Sequence, residues 1–255
     1  MKVQIRLIAF SLFSWLTLAG ASAQTTLNVM TKSELDQAIH DYIMENPEVI
    51  ARSMEILQQR MNRAAAAEEQ ARVAASMAQL HNDPADVVVG NPAGDVTLVE
   101  FFDYNCHYCK NAVEDVIRLI EDDKNLRVVL KEYPILGQPS VEAATVAIAL
   151  HEQLTAEKFA AFHTELMRRK GPITKDVALE LAVAAGADLP KLTAALTRPE
   201  IQAELQKTTQ LGRTLGVTGT PGFFIGTEHI SGAIGYDAMK AKITAMRKCG
   251  ASTCS

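Results

Sequence analysis

The sequence is short of several things at once, and each shortage closes off a class of protein. It has one tryptophan, Trp15, and only four cysteines in 255 residues. Four are too few to staple a chain of this length, so the fold must rest on a hydrophobic core. Positive charge is not in excess: 25 Lys and Arg against 30 Asp and Glu give a net charge of -5. Without a net basic field nothing holds a phosphate backbone, and nucleic acid is excluded as an expected partner. No segment after Gln24 approaches the roughly 20 apolar residues that a membrane-spanning helix needs. Internal repeats and low-complexity tracts are also missing. At 48% hydrophobic and 22% charged, the chain has the composition of an ordinary globular protein of one large or two modest domains.

What is present begins with a processing signal. Lys2 and Arg6 precede a mostly apolar run, Leu7 to Ala19, and Ala21-Ser22-Ala23 supplies small residues for cleavage. The expectation is a signal peptide over residues 1–23, with Trp15 inside it. All four cysteines (Cys106, Cys109, Cys249 and Cys254) follow that segment. Export would place them in an oxidising compartment, where disulfides persist.

Residues 24–83 read as a helical arm. Thr31 or Ser33 can cap a first helix carrying Leu35, Ile39, Tyr42 and Ile43, which Asn46-Pro47 interrupts. A second helix repeats apolar residues at spacings of four and three: Ile50, Met54, Leu57 and Met61, then Val73, Met77 and Leu80. This is the narrow seam of a coiled coil, which must bury itself against its own catalytic domain or against another subunit. A seam so narrow favours the second, a homo-oligomer through residues 31–80.

From residue 84 to 255 the period changes. Val87 to Gly90 and Val96 to Tyr104 read as strands, Cys106 to Asp122 as a helix capped by Asn105, and Leu126 to Tyr133 as a further strand. A helical block spans about 140–215, broken at Gly171-Pro172, Gly186 to Asp188 and Thr197 to Pro199. Strands around Phe223 to Ile225 and His229 to Ser231 and a helix from Tyr236 to Lys248 close the chain. With the block removed, the order is that of an α/β thioredoxin-like fold with a helical insertion.

The chemistry gathers at Phe101-Phe102-Asp103-Tyr104-Asn105-Cys106-His107-Tyr108-Cys109. Both cysteines stand where an apolar strand yields to a helix N-terminus, whose free N–H groups and dipole stabilise a thiolate. Protonated His107 would push the same way, and Cys109, one turn further in, is suited to resolve a mixed disulfide. Structural zinc needs a second close pair of ligands, and haem attachment needs histidine where Lys110 stands. A loop this small gives a purely structural disulfide little leverage. Redox chemistry at Cys106 and Cys109 remains. The remaining histidines show no ligand spacing, and no metal or cofactor is called for. Cys249 and Cys254 are read as a local disulfide of the tail.

The Phe-Phe-x-x-x-Cys-x-x-Cys motif, the helical insertion and Thr220-Pro221 before the last strands resemble the DsbA-like family of periplasmic thiol-disulfide oxidoreductases. The helical arm resembles the suppressor of copper sensitivity C (ScsC) branch. That resemblance implies a cis bond at Thr220-Pro221 beside the cysteines, offering backbone to an extended substrate alongside Tyr108. It implies that Glu100, six residues before Cys106, is a buried carboxylate exchanging a proton with Cys109. It also implies that Lys131 pairs with Glu100. His107-Tyr108 departs from the Pro-His of the strongest oxidases, so the motif does not fix the direction of electron flow.

The function expected is therefore a periplasmic disulfide isomerase or reductase acting on exported proteins and served by a membrane redox partner. The alternatives are a dithiol oxidase and, from another class, a copper(I)-binding protein using Cys106 and Cys109 as ligands.

Overall fold

The computed structural model describes residues 30–254, so the expected signal peptide lies outside the described residues. The chain divides into two compact units, Met1–Gln59 and Arg60–Ser255. That division falls inside a helix, earlier than the boundary at 83/84 suggested by the change of period.

The first unit holds α1 (Lys32–Glu45) and the start of α2 (Glu48–His81). Thr31 and Glu34 cap α1 reciprocally: the Thr31 hydroxyl accepts the Glu34 N–H at 3.3 Å, and the Glu34 carboxylate accepts the Thr31 N–H at 2.8 Å. Pro47 follows Asn46 and forces the break before α2. Leu35, Ile39 and Tyr42 on α1, and Ile50, Met54 and Leu57 on α2, are all exposed.

In the second unit the same helix behaves differently. Val73 and Leu80 are fully buried, and Met77 packs against them. The four-and-three rhythm is continuous in sequence but divided in use. Only Leu35 to Met61 stays uncovered, so the expected seam over residues 31–80 is shortened at its C-terminal end.

Five strands form one sheet in the order β1-β3-β2-β4-β5: β1 (Val87–Gly90), β2 (Val96–Phe102), β3 (Leu126–Glu132), β4 (Gly222–Ile225) and β5 (Glu228–Ser231). β2 and β3 run parallel and are joined by α3 (His107–Asp122); the other pairs are antiparallel. Between β3 and β4 lies the helical insertion: α4 (Gln138–His151), α5 (Ala156–Arg168), α6 (Lys175–Ala184), α7 (Leu189–Ala195) and α8 (Pro199–Thr214). Its breaks include one the sequence did not suggest, where Thr155 accepts the Lys158 N–H and caps α5. The chain closes with α9 (Tyr236–Cys249) and a disulfide between Cys249 and Cys254.

Register assigns the two faces of the sheet. Leu98 pairs with Val128 and Ile225, Glu100 with Leu130 and Phe223, and these residues share the front face. α3 covers that face with Cys109, Ala112, Val113, Val116 and Leu119, a helical stripe within the larger core. Val99, Phe101, Val129 and Phe224 point to the rear face, where Val73 and Leu80 of α2 and Leu211 and Leu215 of the α8 end meet them. Gly212 is required there, because a Cβ would lie 2.5 Å from the Tyr133 ring.

Cations latch the end of α2 onto this rear face. Lys131, fully buried, donates to the Gln79 carbonyl at 2.7 Å and forms an ion pair with Asp86. Arg127 donates to the His81 carbonyl at 2.7 Å, and Lys207 pairs with Asp83. Donors at these positions satisfy carbonyls that a helix C-terminus leaves without partners.

Candidate active site

β2 ends at Phe102, and the chain turns through Asp103, Tyr104 and Asn105 before α3. The turn is closed by the Cys106 N–H donating to the Asp103 carbonyl at 3.0 Å. Cys106 itself is the N-cap residue of α3, in extended conformation, so Asn105 is not the cap. Cys106 makes no side-chain cap hydrogen bond, so the first-turn N–H groups of Tyr108 and Cys109 stay free to favour its thiolate. Asn105 turns away instead. Its amide donates to the Ile173 carbonyl at 3.0 Å and to Ser140 Oγ at 3.2 Å, while its Oδ1 accepts the Ile173 N–H at 2.7 Å. Lys110 donates to the Arg169 and Gly171 carbonyls at 2.8 and 3.1 Å. These two residues fasten the helical insertion beside the cysteines.

The two cysteines are free thiols in very different states. A hydrogen bond from the Cys109 thiol draws the Cys106 thiol down to about 5, helped by Thr220 and by the backbone N–H groups of Cys109 and Tyr108, against the opposing effect of burial. Cys109 is fully buried, and its thiol is pushed far upward by that same hydrogen bond, by burial and by the charge of Glu100. One sulfur is poised as a thiolate and the other is held as a proton donor.

Glu100 lies behind them on β2, buried on the α3 face. Burial pushes its carboxyl up to about 8, and the Cys106 thiolate pushes in the same direction. The expected partner is not there. Parallel register sets Glu100 beside Leu130 and Lys131 beside Phe101, so Lys131 faces the rear of the sheet and pairs with Asp86. One residue of offset reverses the face of a strand side chain.

The Thr220-Pro221 bond is cis. The Thr220 carbonyl lies 3.1 Å from Cys106 Sγ, and β4 starts immediately afterward at Gly222. Tyr108 is exposed, with its ring edge-on to His107. The His107 ring nitrogen meets the Asn111 amide at 3.3 Å, on the outer side of α3. Cys106, Cys109, Glu100, Tyr108, Thr220 and Pro221 therefore gather around one point, with His107 at its exposed edge.

Sequence reasoning missed three polar residues around this point. Asp103 and Asn105 sit at the end of an apolar strand, a place where polar residues call for partners; Asn105 was read only as a cap. The third is Glu132, whose carboxylate accepts the Tyr104 hydroxyl at 3.0 Å; Tyr104 also lies 3.3 Å from His163 Nδ1. Burial pushes Glu132 well up and His163 down to about 3. His163 is therefore neutral in the core.

Known proteins resemble this chain in two stretches. Residues 97–244 match the DSBA-like thioredoxin domain, and residues 32–65 match the copper resistance protein ScsC N-terminal domain. The thiol:disulfide interchange protein DsbA of Bordetella parapertussis is 28% identical over 149 residues, spanning 55% of this chain and 68% of that protein. A thioredoxin-like oxidoreductase from Silicibacter pomeroyi is 38% identical, with a TM-score of 0.63 over 68% of this chain and 98% of that one. The catalytic domain of Proteus mirabilis ScsC is 26% identical, with a TM-score of 0.62 over 69% and 96% of the two chains.

Proposed function

From a chain that belongs to the DSBA-like thioredoxin family and is a thiol-disulfide oxidoreductase of that type, we propose a periplasmic disulfide isomerase or reductase acting on exported proteins. The observation that carries the reading is the split between the two sulfurs, with a thiolate at the cap of α3 and a buried thiol one turn below it.

The Cys106 thiolate attacks one sulfur of a client disulfide. A Cys106–client bond forms, the client S–S bond breaks, and the other client sulfur leaves as a thiolate. In isomerisation a client thiolate then attacks the mixed disulfide, forms a new client disulfide and returns Cys106 as a thiolate. In reduction Cys109 passes its proton to ionised Glu100 and attacks Cys106. The client then leaves with both sulfurs reduced, and the two electrons come from the Cys106–Cys109 pair. A membrane redox partner restores the dithiol.

Thr220 and Pro221 offer backbone to an extended client across Cys106, and Tyr108 offers an exposed ring beside it. His107 contributes at the exposed edge of the same site. The uncovered apolar residues from Leu35 to Met61 support assembly with other copies of the chain, which would set several sites around one client. The Cys249–Cys254 disulfide supports an oxidising compartment.

Refolding of scrambled ribonuclease tests the reading. The protein should restore activity, and Cys106→Ala should not; equal recovery by both removes isomerisation. One observation favours the dithiol oxidase instead: a strongly stabilised Cys106 thiolate favours the reduced form and makes the disulfide oxidising. Recovery from cells as a dithiol supports the isomerase, and recovery as a disulfide supports the oxidase.

A further inference from the structure

The front face of the sheet is not fully covered. Between α3 and α5 lies a cleft of about 480 Å³, walled by Val113, Val116, Ile117 and Ile120 of α3 with Val89 and Leu130 of the sheet. Its floor is polar at one point. Glu100 opens onto the cleft at 2% exposure and, among the described residues, has no hydrogen-bond partner. A buried carboxyl left without a partner is costly, so an occupant of the cleft gains by meeting it.

Water suits this space poorly. A buried water needs about two to four polar partners, and the apolar walls supply none. His163 also lines the cleft, but its ring is neutral and its Nδ1 already faces the Tyr104 hydroxyl at 3.3 Å. An apolar body with one polar end fits better. The rim decides the charge of that end. Glu121, Glu165 and Arg168 stand around it. Arg168 is committed to Glu114 through two bonds at 2.7 and 3.0 Å, and Glu165 lies 4.0 Å from the same guanidinium. The rim is therefore acidic overall, and an anion passing it would meet Glu100 as well. The other titratable groups that act on Glu100 are Tyr104, Cys106 and Cys109, and none of them is a cation.

We propose that this cleft binds a small amphiphilic amine, with its apolar body between α3 and α5 and its ammonium on the Glu100 carboxylate. Glu100 must ionise to make that pair, so binding expels to solvent the proton that burial otherwise keeps there. An occupied cleft also engages the carboxyl that takes the Cys109 proton, and resolution should slow. That consequence, unlike binding itself, rests on the exchange reading above.

Calorimetric titration of the full chain at pH 7 with 4-phenylbutylamine, 4-phenylbutanol and 4-phenylbutanoate tests the site. The three probes share an apolar body and differ at the polar end. The amine should bind at least about tenfold tighter than the alcohol, and the acid should not bind. Titration in two buffers of different ionisation heat should show close to one proton released per amine bound. Glu100→Gln keeps the size of the side chain and should weaken the amine about tenfold or more while leaving the alcohol unchanged. Ala161→Phe, at the exposed edge of the cleft, should weaken both. Circular dichroism of both variants accompanies the titrations.

No binding by the amine, equal affinity for amine and alcohol, or an amine affinity that survives Glu100→Gln overturns the proposal. Where the amine binds as expected, saturating it should lengthen the life of a trapped mixed disulfide about tenfold. Binding with an unchanged lifetime leaves the site standing and removes Glu100 from the exchange reaction.

Discussion

Replacing Lys131 with methionine tests the assignment of the two sheet faces. Lys131 forms an ion pair with Asp86 and donates to the Gln79 carbonyl at 2.7 Å, all within the rear layer. Methionine fills much of the same volume but leaves Asp86 buried without its cation. Breaking a buried pair in this way costs about 3–5 kcal/mol. With a urea dependence of about 2 kcal/mol per molar, the unfolding midpoint should fall by roughly 2 M. The sign of the pH dependence follows from Asp86. Burial pushes its carboxyl up to about 7, and Lys131 pulls it back down, so loss of Lys131 raises it further. The penalty is therefore largest above pH 7, where the carboxyl must ionise alone or hold a proton at a cost, and it shrinks toward pH 5, where the carboxyl is neutral. Adding Asp86→Asn to Lys131→Met should recover most of the loss at pH 8, since neither charge then remains. The Cys106 alkylation profile should not move, because Lys131 and Glu100 lie on opposite faces of β2 and β3. Urea titrations at pH 5 and 8, with alkylation rates alongside, decide the matter. A shifted alkylation midpoint with an unmoved urea midpoint would mean that Lys131 serves Glu100, and the face assignment would be wrong.

The remaining predictions concern the front face and the arm. Alkylation of the dithiol form should titrate with a midpoint near 5 for Cys106, while Cys109 stays unmodified across the range in which the fold persists; a Cys106 midpoint near 9 removes the helix-terminus argument. Glu100→Gln should stabilise the protein. Burial raises the Glu100 carboxyl from 4.5 to about 8, so the folded state holds a proton that the unfolded state has released. The resulting penalty grows from pH 4.5 to 8 and is about 3 kcal/mol at pH 7; a destabilised glutamine variant at pH 7 contradicts it. The same variant should slow intramolecular resolution by Cys109 about 100-fold, measured as the lifetime of a trapped mixed disulfide. Replacing Leu35, Ile39, Ile50, Met54 and Leu57 with glutamine should lower the solution mass to that of one chain without changing Cys106 alkylation; an unchanged mass refutes the arm as an assembly surface.

Periodic features were legible in the sequence and long-range ones were not. The inward stripe of α3, the parallel β2–α3–β3 unit, most breaks in the helical insertion and the tail disulfide all follow from local pattern, and local pattern is what a sequence displays. Asn105 shows where that fails. Asparagine before a helix is a good cap, and nothing nearby says that Ile173 will claim its amide. The arm fails in a different way. Ile50 to Met61 and Val73 to Leu80 share one spacing, but only a folded sheet offers the second group a partner. Spacing fixes which side of a helix is apolar; what covers that side is decided by the rest of the chain.

Two carboxylates near apolar strands, Glu100 and Asp86, make the same point about chemistry. Glu100 and Asp86 each stand near a run of valines, and burial pushes both upward into the neutral pH range. Their second influence differs in sign. Lys131 faces Asp86 and pulls it back, which fixes it as one half of a latch. The Cys106 thiolate faces Glu100 and pushes it further, so its proton affinity depends on whether that sulfur is charged. When Cys106 enters a mixed disulfide, its charge disappears and Glu100 ionises more readily. That is the moment at which Cys109 must lose a proton. The parity of Lys131 along β3 therefore decides which carboxylate is structural and which can take part in exchange. Moved by one residue, the same lysine would neutralise Glu100 and leave Asp86 with no partner.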